Sequence, residues 1–405
     1  MEIVFLDNGL ISKGEHSYSL VKSVGAALAR RTLPFRVFAP RCVDPLIAAE
    51  IGAIPHFTRS LYDNESPLVE LPAWARGRGS SPAISERRTA RLQNAAFARD
   101  LAALPRDLWT SDKLWVVPGV SQNQILGLVR ALLAAPEATR PRTVCQLMFP
   151  PDWTPWGRTA RQGHEIYRKA FRRAAPLVDK SLFFTAENAP IAALYRERFG
   201  IAAKILPVPF GGTRPARPCP ARPTFGFLGY SKSDKGFPLL PAALEICRAH
   251  GVAADFAIQV RHDGWEAATV AAEQALRRMG SVRLVEGVLD EALFDLETDR
   301  IDVMLLPYDP VLFGLRGSGL FTQSVAAGRP VVASAGTFAA AEIARGAAEG
   351  EVLASYDAPA LAEAILRMAS RFTSARMRAQ SLAQAFARQH SAETYVEVLL
   401  AHAAR

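Results

Sequence analysis

One stretch limits the fold more than any other. The apolar run IDVMLLPY (Ile301 to Tyr308) passes through DPVLFGLRGSG into a helical pattern, LFTQSVAAG, and then into RPVVAS. A short apolar run without alternation reads as a strand buried on both faces. Gly328 stops the helical pattern and Pro330 opens the following strand, as helix-termination rules require. Strand, glycine loop, helix, strand is the unit from which parallel sheets are wound.

The same rhythm runs through the rest of the chain. In the first half EIVFL (Glu2 to Leu6), FRVFA (Phe35 to Ala39), KLWVV (Lys113 to Val117), TVCQLMF (Thr143 to Phe149), SLFFT (Ser181 to Thr185) and KILPV (Lys204 to Val208) read as strands separated by helix-length segments. In the second half FGFLG (Phe225 to Gly229), DFAIQV (Asp255 to Val260), VRLVEG (Val282 to Gly287), IDVMLLPY, RPVVAS (Arg329 to Ser334) and EVLA (Glu351 to Ala354) repeat the pattern, with a helix expected from Gly236. The proline-rich run PFGGTRPARPCPARP separates them. A chain of 405 residues is long enough for two cores. The expectation is an α/β protein of two doubly wound, Rossmann-like domains. These span 1–208, with a mobile insertion at about 60–100, and 224–385, joined by a linker at 209–223. The final segment, 386–405, is helical, breaks near His390 and crosses back to the first domain.

Composition removes several classes. Apolar residues make up 49% and charged residues 21%, and no stretch is long and apolar enough for a membrane span. The N-terminus enters a strand without a basic, cleavable leader, which points to the cytoplasm. Cys42, Cys145, Cys219 and Cys247 lack metal-ligand or disulfide spacing and are expected to be reduced and mostly buried. A net charge of +9 attracts anions. Basic residues interleaved with aromatics are missing, so nucleic acid is not the expected partner, whereas phosphorylated substrates or an anionic lipid surface are. The basic segment Gly157 to Arg173 is the place for a peripheral membrane contact, though such faces are usually just solvated. His164–Glu165 lacks a second histidine at zinc-protease spacing, and neither a P-loop nor a GxSxG elbow is present.

In open α/β sheets ligands bind beyond the carboxyl ends of the strands. Three such loops carry chemistry. In RGSG, Ser318 is placed to cap the next helix, the amides of Gly317, Ser318, Gly319 and Leu320 point toward any anion there, and Arg316 offers a bidentate donor. In GYSKSDKG, Gly229 ends a strand, Tyr230 follows, and Lys232 or Lys235 can reach a diphosphate. In DNGLISKGEHSYSL, Gly14, Glu15 and His16 precede the first helix; a lone histidine there is more often a cap or surface residue than a catalyst.

With these residues in place, the second half resembles the donor-binding domain of the retaining GT-B glycosyltransferases of family 4. FLGYSKSDKG, VRLVEGVLDEALFDL, DVMLLPY, SVAAGRPVVAS and EGEVLASYDAPALAEAIL occur in that family's order. The resemblance implies a GT-B fold, two Rossmann-like domains facing a cleft, and transfer of a sugar from a nucleoside-diphosphate sugar to an acceptor hydroxyl with retention. The acceptor is a glycan or lipid-linked precursor, and neither metal nor cofactor is needed. It places Lys235 on the donor diphosphate; Arg316, beside a missing family glutamate, is expected to substitute for the lost loop arginine, and these two are the expected catalytic cations. Glu286 to Val288 lie beside the nucleobase, Gly317 to Leu320 around the diphosphate and sugar, and Gln323 on a ribose or sugar hydroxyl. The family's two glutamates fall at Leu315 and Gln323, its loop arginine at Tyr230, and its acceptor-side histidine is missing from QLMFPPDW. Those departures keep two alternatives open: a non-catalytic sugar-nucleotide or glycan-binding subunit, and after it a GT-B epimerase or phosphorylase.

Overall fold

The computed structural model describes residues 1–13, 16–63, 82–153, 163–209 and 218–403. It divides into two compact units, Met1–Pro209 with Ala392–Arg405, and Phe210–Ser391.

The first unit is built on β1 (Glu2–Leu6), β2 (Phe35–Pro40), β3 (Ala53–Phe57), β4 (Lys113–Val120), β5 (Arg142–Leu147), β6 (Leu182–Ala186) and β7 (Lys204–Ile205). They pair in parallel in the order β3-β2-β1-β4-β5-β6-β7, so the winding direction reverses between β1 and β4. Two elements differ from the sequence reading. AIPHF forms β3 although Pro55 and His56 interrupt its apolar pattern; it pairs only with β2, and proline is tolerated on such an edge. KILPV contributes just two paired residues, because Pro207 has no N–H to donate.

Of the segment expected to be a mobile insertion, 64–81 lies outside the described residues. Pro82–Ala102 is a single helix with Ala90, Ala96, Phe97 and Leu101 buried. Its spacing of small and apolar residues at helical intervals makes it part of the core, and Gly127 on the neighbouring helix packs against its backbone at Asn94. The cysteines divide evenly, Cys145 and Cys247 buried, Cys42 and Cys219 exposed, and none of them forms a disulfide. The two exposed ones lie outside regular elements, where a thiol has no core to enter.

The second unit is built on β8 (Thr224–Phe227), β9 (Asp255–Val260), β10 (Val282–Glu286), β11 (Val303–Leu306), β12 (Val331–Ser334) and β13 (Gly350–Leu353). They pair in parallel in the order β10-β9-β8-β11-β12-β13, the doubly wound arrangement with its reversal between β8 and β11. Strand periodicity explains the two cores. Val303 and Leu305 enter a cluster with Phe225, Phe227 and Ile258, whereas Met304 and Leu306 enter another with Phe321, Val325 and Phe338. Burial on both faces is what an apolar run without alternation signals.

The helix Phe372–Gln389 ends at His390, and Ala392–Ala403 belongs to the first unit. There Tyr395 donates to Gln146 Oε1 at 2.9 Å, Arg31 pairs with Glu397 at 3.0 Å and Arg30 with Glu393. The expected return of the C-terminal helix is present. Among the described residues no helix is long and apolar enough to cross a membrane.

Candidate functional site

At the carboxyl edge of the second sheet, three loops are tied together by one strand residue. Gln259, buried near the end of β9, accepts from the Gly229 amide at 2.7 Å and donates to the Gly287 carbonyl at 2.7 Å. Its side chain therefore fixes the loops that follow β8 and β10. Ser231, also buried, donates to the Gln259 carbonyl at 3.0 Å, while its amide donates to the Arg261 carbonyl at 2.7 Å. Two buried polar side chains are thus fully engaged in holding backbone, which makes this edge rigid.

The loop after β8 is joined equally closely to the loop after β11. Gly236 has φ 73°, and a Cβ there would stand 1.9 Å from the Pro307 carbonyl oxygen. Only glycine allows that approach. The Asp309 amide donates to the Asp234 carbonyl at 2.8 Å. As a result Lys235 Nζ and Leu320 Cδ1 both come within 3.5 Å of the position a Gly229 Cβ would take. Residues eighty-odd positions apart in sequence share one corner of the sheet.

The helix expected from Gly236 begins instead at Leu240, after two 3-10 turns, because the left-handed Gly236 interrupts helical geometry. The Gly319–Ala326 helix starts as the sequence indicates, with Ser318 Oγ accepting from the Phe321 amide at 3.3 Å. That cap leaves the Gly319 and Leu320 amides without an intrahelical acceptor.

Positive charge collects at this corner. Lys235 is only partly exposed, with Nζ 6.0 Å from the centre of the Tyr308 ring. Arg316 lies over the Phe313 ring at 4.7 Å. Lys232 and Arg261 share the Tyr230 ring, at 4.6 Å and 5.4 Å. Burial pushes the Lys235 pKa down to about 8; Asp234 opposes that shift, and Lys232, Arg316 and Arg261 reinforce it. Burial raises the Asp234 carboxyl, whose Oδ1 has no hydrogen-bond partner among the described residues. The corner is therefore cationic and electrostatically strained, a state that a bound anion relieves.

The residues named from sequence divide into those brought together and those not. Gly229, Tyr230, Lys232, Lys235, Arg316 and Gly317 to Leu320 lie on the two joined loops, with Gln323 one turn further along the helix. Glu286 turns its carboxylate to Arg277, at 2.8 Å and 3.1 Å, so only its backbone remains for a ligand, and Val288 is exposed. Gly14 and Glu15 lie outside the described residues; His16 opens the His16–Arg30 helix, and its side chain is also outside them. Among the described residues no group of three or more histidine, cysteine or acidic side chains is placed to hold a metal. Sequence reasoning passed over Gln259 and Arg261. A glutamine in the apolar strand DFAIQV was the available signal, since a buried amide must have partners.

No protein family model and no curated protein matches the chain. Solved structures do. The trehalose-6-phosphate synthase of Burkholderia multivorans superimposes with a TM-score of 0.64 over 100% of this chain and 98% of its own, at 14% identity. The sucrose-phosphate synthase of Thermosynechococcus elongatus gives 0.58 over 99% and 100%, at 16% identity. Anabaena HepE, in complex with UDP and glucose, gives 0.60 over 99% of each chain, at 15% identity. The fold is GT-B. In this GT-B chain the corner just described lies at the carboxyl edge of the C-terminal Rossmann-like unit, beside its topological switch between β8 and β11.

Proposed function

We propose that the chain is a glycosyltransferase that moves a sugar from a nucleoside-diphosphate sugar to an acceptor hydroxyl, with retention, in the manner of the family 4 enzymes. The observation carrying this reading is the convergence of Lys235, Lys232, Arg261 and Arg316 with the Gly319 and Leu320 amides, which lack an intrahelical acceptor. As the glycosidic bond of such a donor breaks, negative charge accumulates on the departing diphosphate. Fixed cations and helix amides stabilise that charge without having to reorganise. Lys235 and Arg316 take this role, Gln323 holds a ribose or sugar hydroxyl, and the backbone of Glu286 to Val288 borders the nucleobase. Gly14, Glu15 and His16 belong to the acceptor side. The acceptor is a glycan or a lipid-linked precursor met at the cytoplasmic face of a membrane, and the chemistry requires no metal.

Because HepE is similar and was solved with UDP and glucose, UDP-glucose is the first donor to try. Incubation with UDP-glucose and other nucleotide sugars should release nucleoside diphosphate slowly by hydrolysis, and nucleoside diphosphates should raise the melting temperature. If neither effect appears while free glycans do stabilise the protein, the enzyme reading fails. One observation favours the second reading, a non-catalytic binding subunit. Leu315 and Gln323 stand where the resembled family has carboxylates, which removes charge-assisted bonds to the sugar. Tight diphosphate binding with no donor hydrolysis and no transfer would select it.

A further inference from the structure

We propose that Arg261, seated on the Tyr230 ring, is a direct ligand of the donor diphosphate beside Lys235; this rests on the donor-site reading above. Arg261 follows β9 and Tyr230 follows β8, two strands paired in parallel, so both leave the sheet at the same edge. The Arg261 backbone is held on both sides. Its carbonyl accepts from the Ser231 amide at 2.7 Å and its amide donates to Ser231 Oγ at 3.1 Å. The guanidinium then lies 5.4 Å from the Tyr230 ring centre. Lys232 Nζ occupies the same ring at 4.6 Å, so two like charges are held on one aromatic platform.

Glu266 is engaged by other donors, accepting from the Ser233 amide and hydroxyl and from Thr269, all at 2.8 Å. Among the described residues neither Lys232 nor Arg261 has a carboxylate within 4.0 Å. Arg261 is close enough to Lys235 to depress its pKa, together with Lys232 and Arg316. Such a group of cations, engaging backbone-fixed positions on adjacent loops, suits an extended anion carrying more than one charge. A planar guanidinium on a ring is pre-organised for bidentate contact with phosphate oxygens. Lys232, on the same ring, is exposed.

The test is calorimetric titration of the full chain with UDP and with inorganic pyrophosphate, comparing wild type with Arg261→Gln, Tyr230→Leu, Tyr230→Phe and Lys235→Ala. Arg261→Gln should weaken both ligands roughly tenfold to hundredfold. Tyr230→Leu should weaken them about threefold to tenfold by freeing the guanidinium, while Tyr230→Phe, which keeps the ring, should bind as wild type does. If Lys235→Ala loses affinity and Arg261→Gln stays within about twofold of wild type, the inference falls and the donor-site reading stands. If the wild type binds neither UDP nor pyrophosphate, the donor-site reading itself falls and takes the inference with it. Should Arg261→Gln melt early, Arg261→Lys keeps the charge and should recover most of the pyrophosphate affinity; failure to recover it overturns the inference.

Discussion

The two sheets of this GT-B chain reverse direction in the same way, yet the carboxyl edges beside those reversals are chemically opposite. In the second unit the edge carries Lys232, Lys235, Arg261 and Arg316. In the first unit the corresponding edge carries Asp7 and Asn8 after β1 and Ser121, Gln122, Asn123 and Gln124 after β4, all buried. Asp7 Oδ2, Gln122 Oε1 and Gln124 Nε2 have no hydrogen-bond partner among the described residues. Fixed charge selects an anion and gains from low dielectric. Buried amides left without partners instead reward a neutral ligand bearing hydroxyls, because they recover a desolvation cost already incurred. One fold thus supplies one edge that favours a charged anion and another that favours hydrogen-bonding hydroxyls.

The largest effect should come from breaking the rigidity of the cationic edge. Gly236→Ala places a methyl group 1.9 Å from the Pro307 carbonyl oxygen, at a backbone with φ 73°. Left-handed strain and forced displacement of the backbone together should cost about 3 kcal/mol or more. Hydrogen exchange should show amides of β8 and β11 losing protection while those of β1 and β4 keep theirs, and pyrophosphate binding should be lost. Wild-type protection in β8 and β11 would mean that the contact between the two loops is soft.

The neutral edge offers the reverse experiment, a gain. Burial raises Asp7 to a pKa of about 6, against help from the Gly9 amide at 2.9 Å and from Ser17. Its folded pKa lies above the unfolded value of 3.8. The protonated form therefore stabilises the fold fully below about pH 4, and that stability is lost as pH rises through about 6. At neutral pH the buried charge costs about 2 to 3 kcal/mol. Asp7→Asn keeps the acceptor for the Gly9 amide and removes the charge, so its melting temperature should exceed that of wild type at pH 7.5 and match it near pH 4. A lower melting temperature at pH 7.5 would show that the carboxylate has a stabilising partner.

What the sequence disclosed follows the range of the interactions. Strands buried on both faces, the Ser318 cap and the Gly328 stop are local patterns, and each appears where it was read. Strand β3 escaped because an edge strand need not be apolar throughout; Ile54 is exposed there. Lys235 and Arg316 were legible because glycines beside them mark loops. Gln259 and Arg261 were not, since their meaning comes from the pairing of β8 with β9, which brings together residues about thirty positions apart. Burial of Asp7 likewise depends on the packing around β1, to which no local pattern points.

Removing one cation sharpens the contrast between the edges. Lys235→Ala deletes a charge-assisted contact, so diphosphate affinity should fall roughly tenfold to hundredfold, about 1.5 to 3 kcal/mol. Titration with UDP and pyrophosphate measures it. Arg316→Ala should act in the same direction, whereas Gln122→Ala on the neutral edge should leave pyrophosphate affinity untouched. Equal losses from Lys235→Ala and Gln122→Ala would dissolve the distinction between the two edges.

The smallest effect is a pH dependence with opposite signs for stability and for binding. Lys235 has a folded pKa of about 8 against 10.5 when unperturbed. Between those values the unfolded chain binds more protons, so the ligand-free protein gains stability as pH rises from about 8 toward 10.5. Diphosphate binding needs the protonated lysine, so affinity should be level below about pH 8 and then fall by at most tenfold per pH unit. The Tyr308 hydroxyl beside the lysine, pushed up to about 12 by burial, stays neutral in this window. Pyrophosphate titrations at pH 7, 8 and 9 in wild type and in Lys235→Arg test it: the ligand's own ionisation affects both alike and the arginine keeps its proton, so the ratio of wild-type to variant affinity should fall only above about pH 8. A ratio that stays constant across this range would assign the titrating group elsewhere and remove Lys235 as the cation that the diphosphate meets.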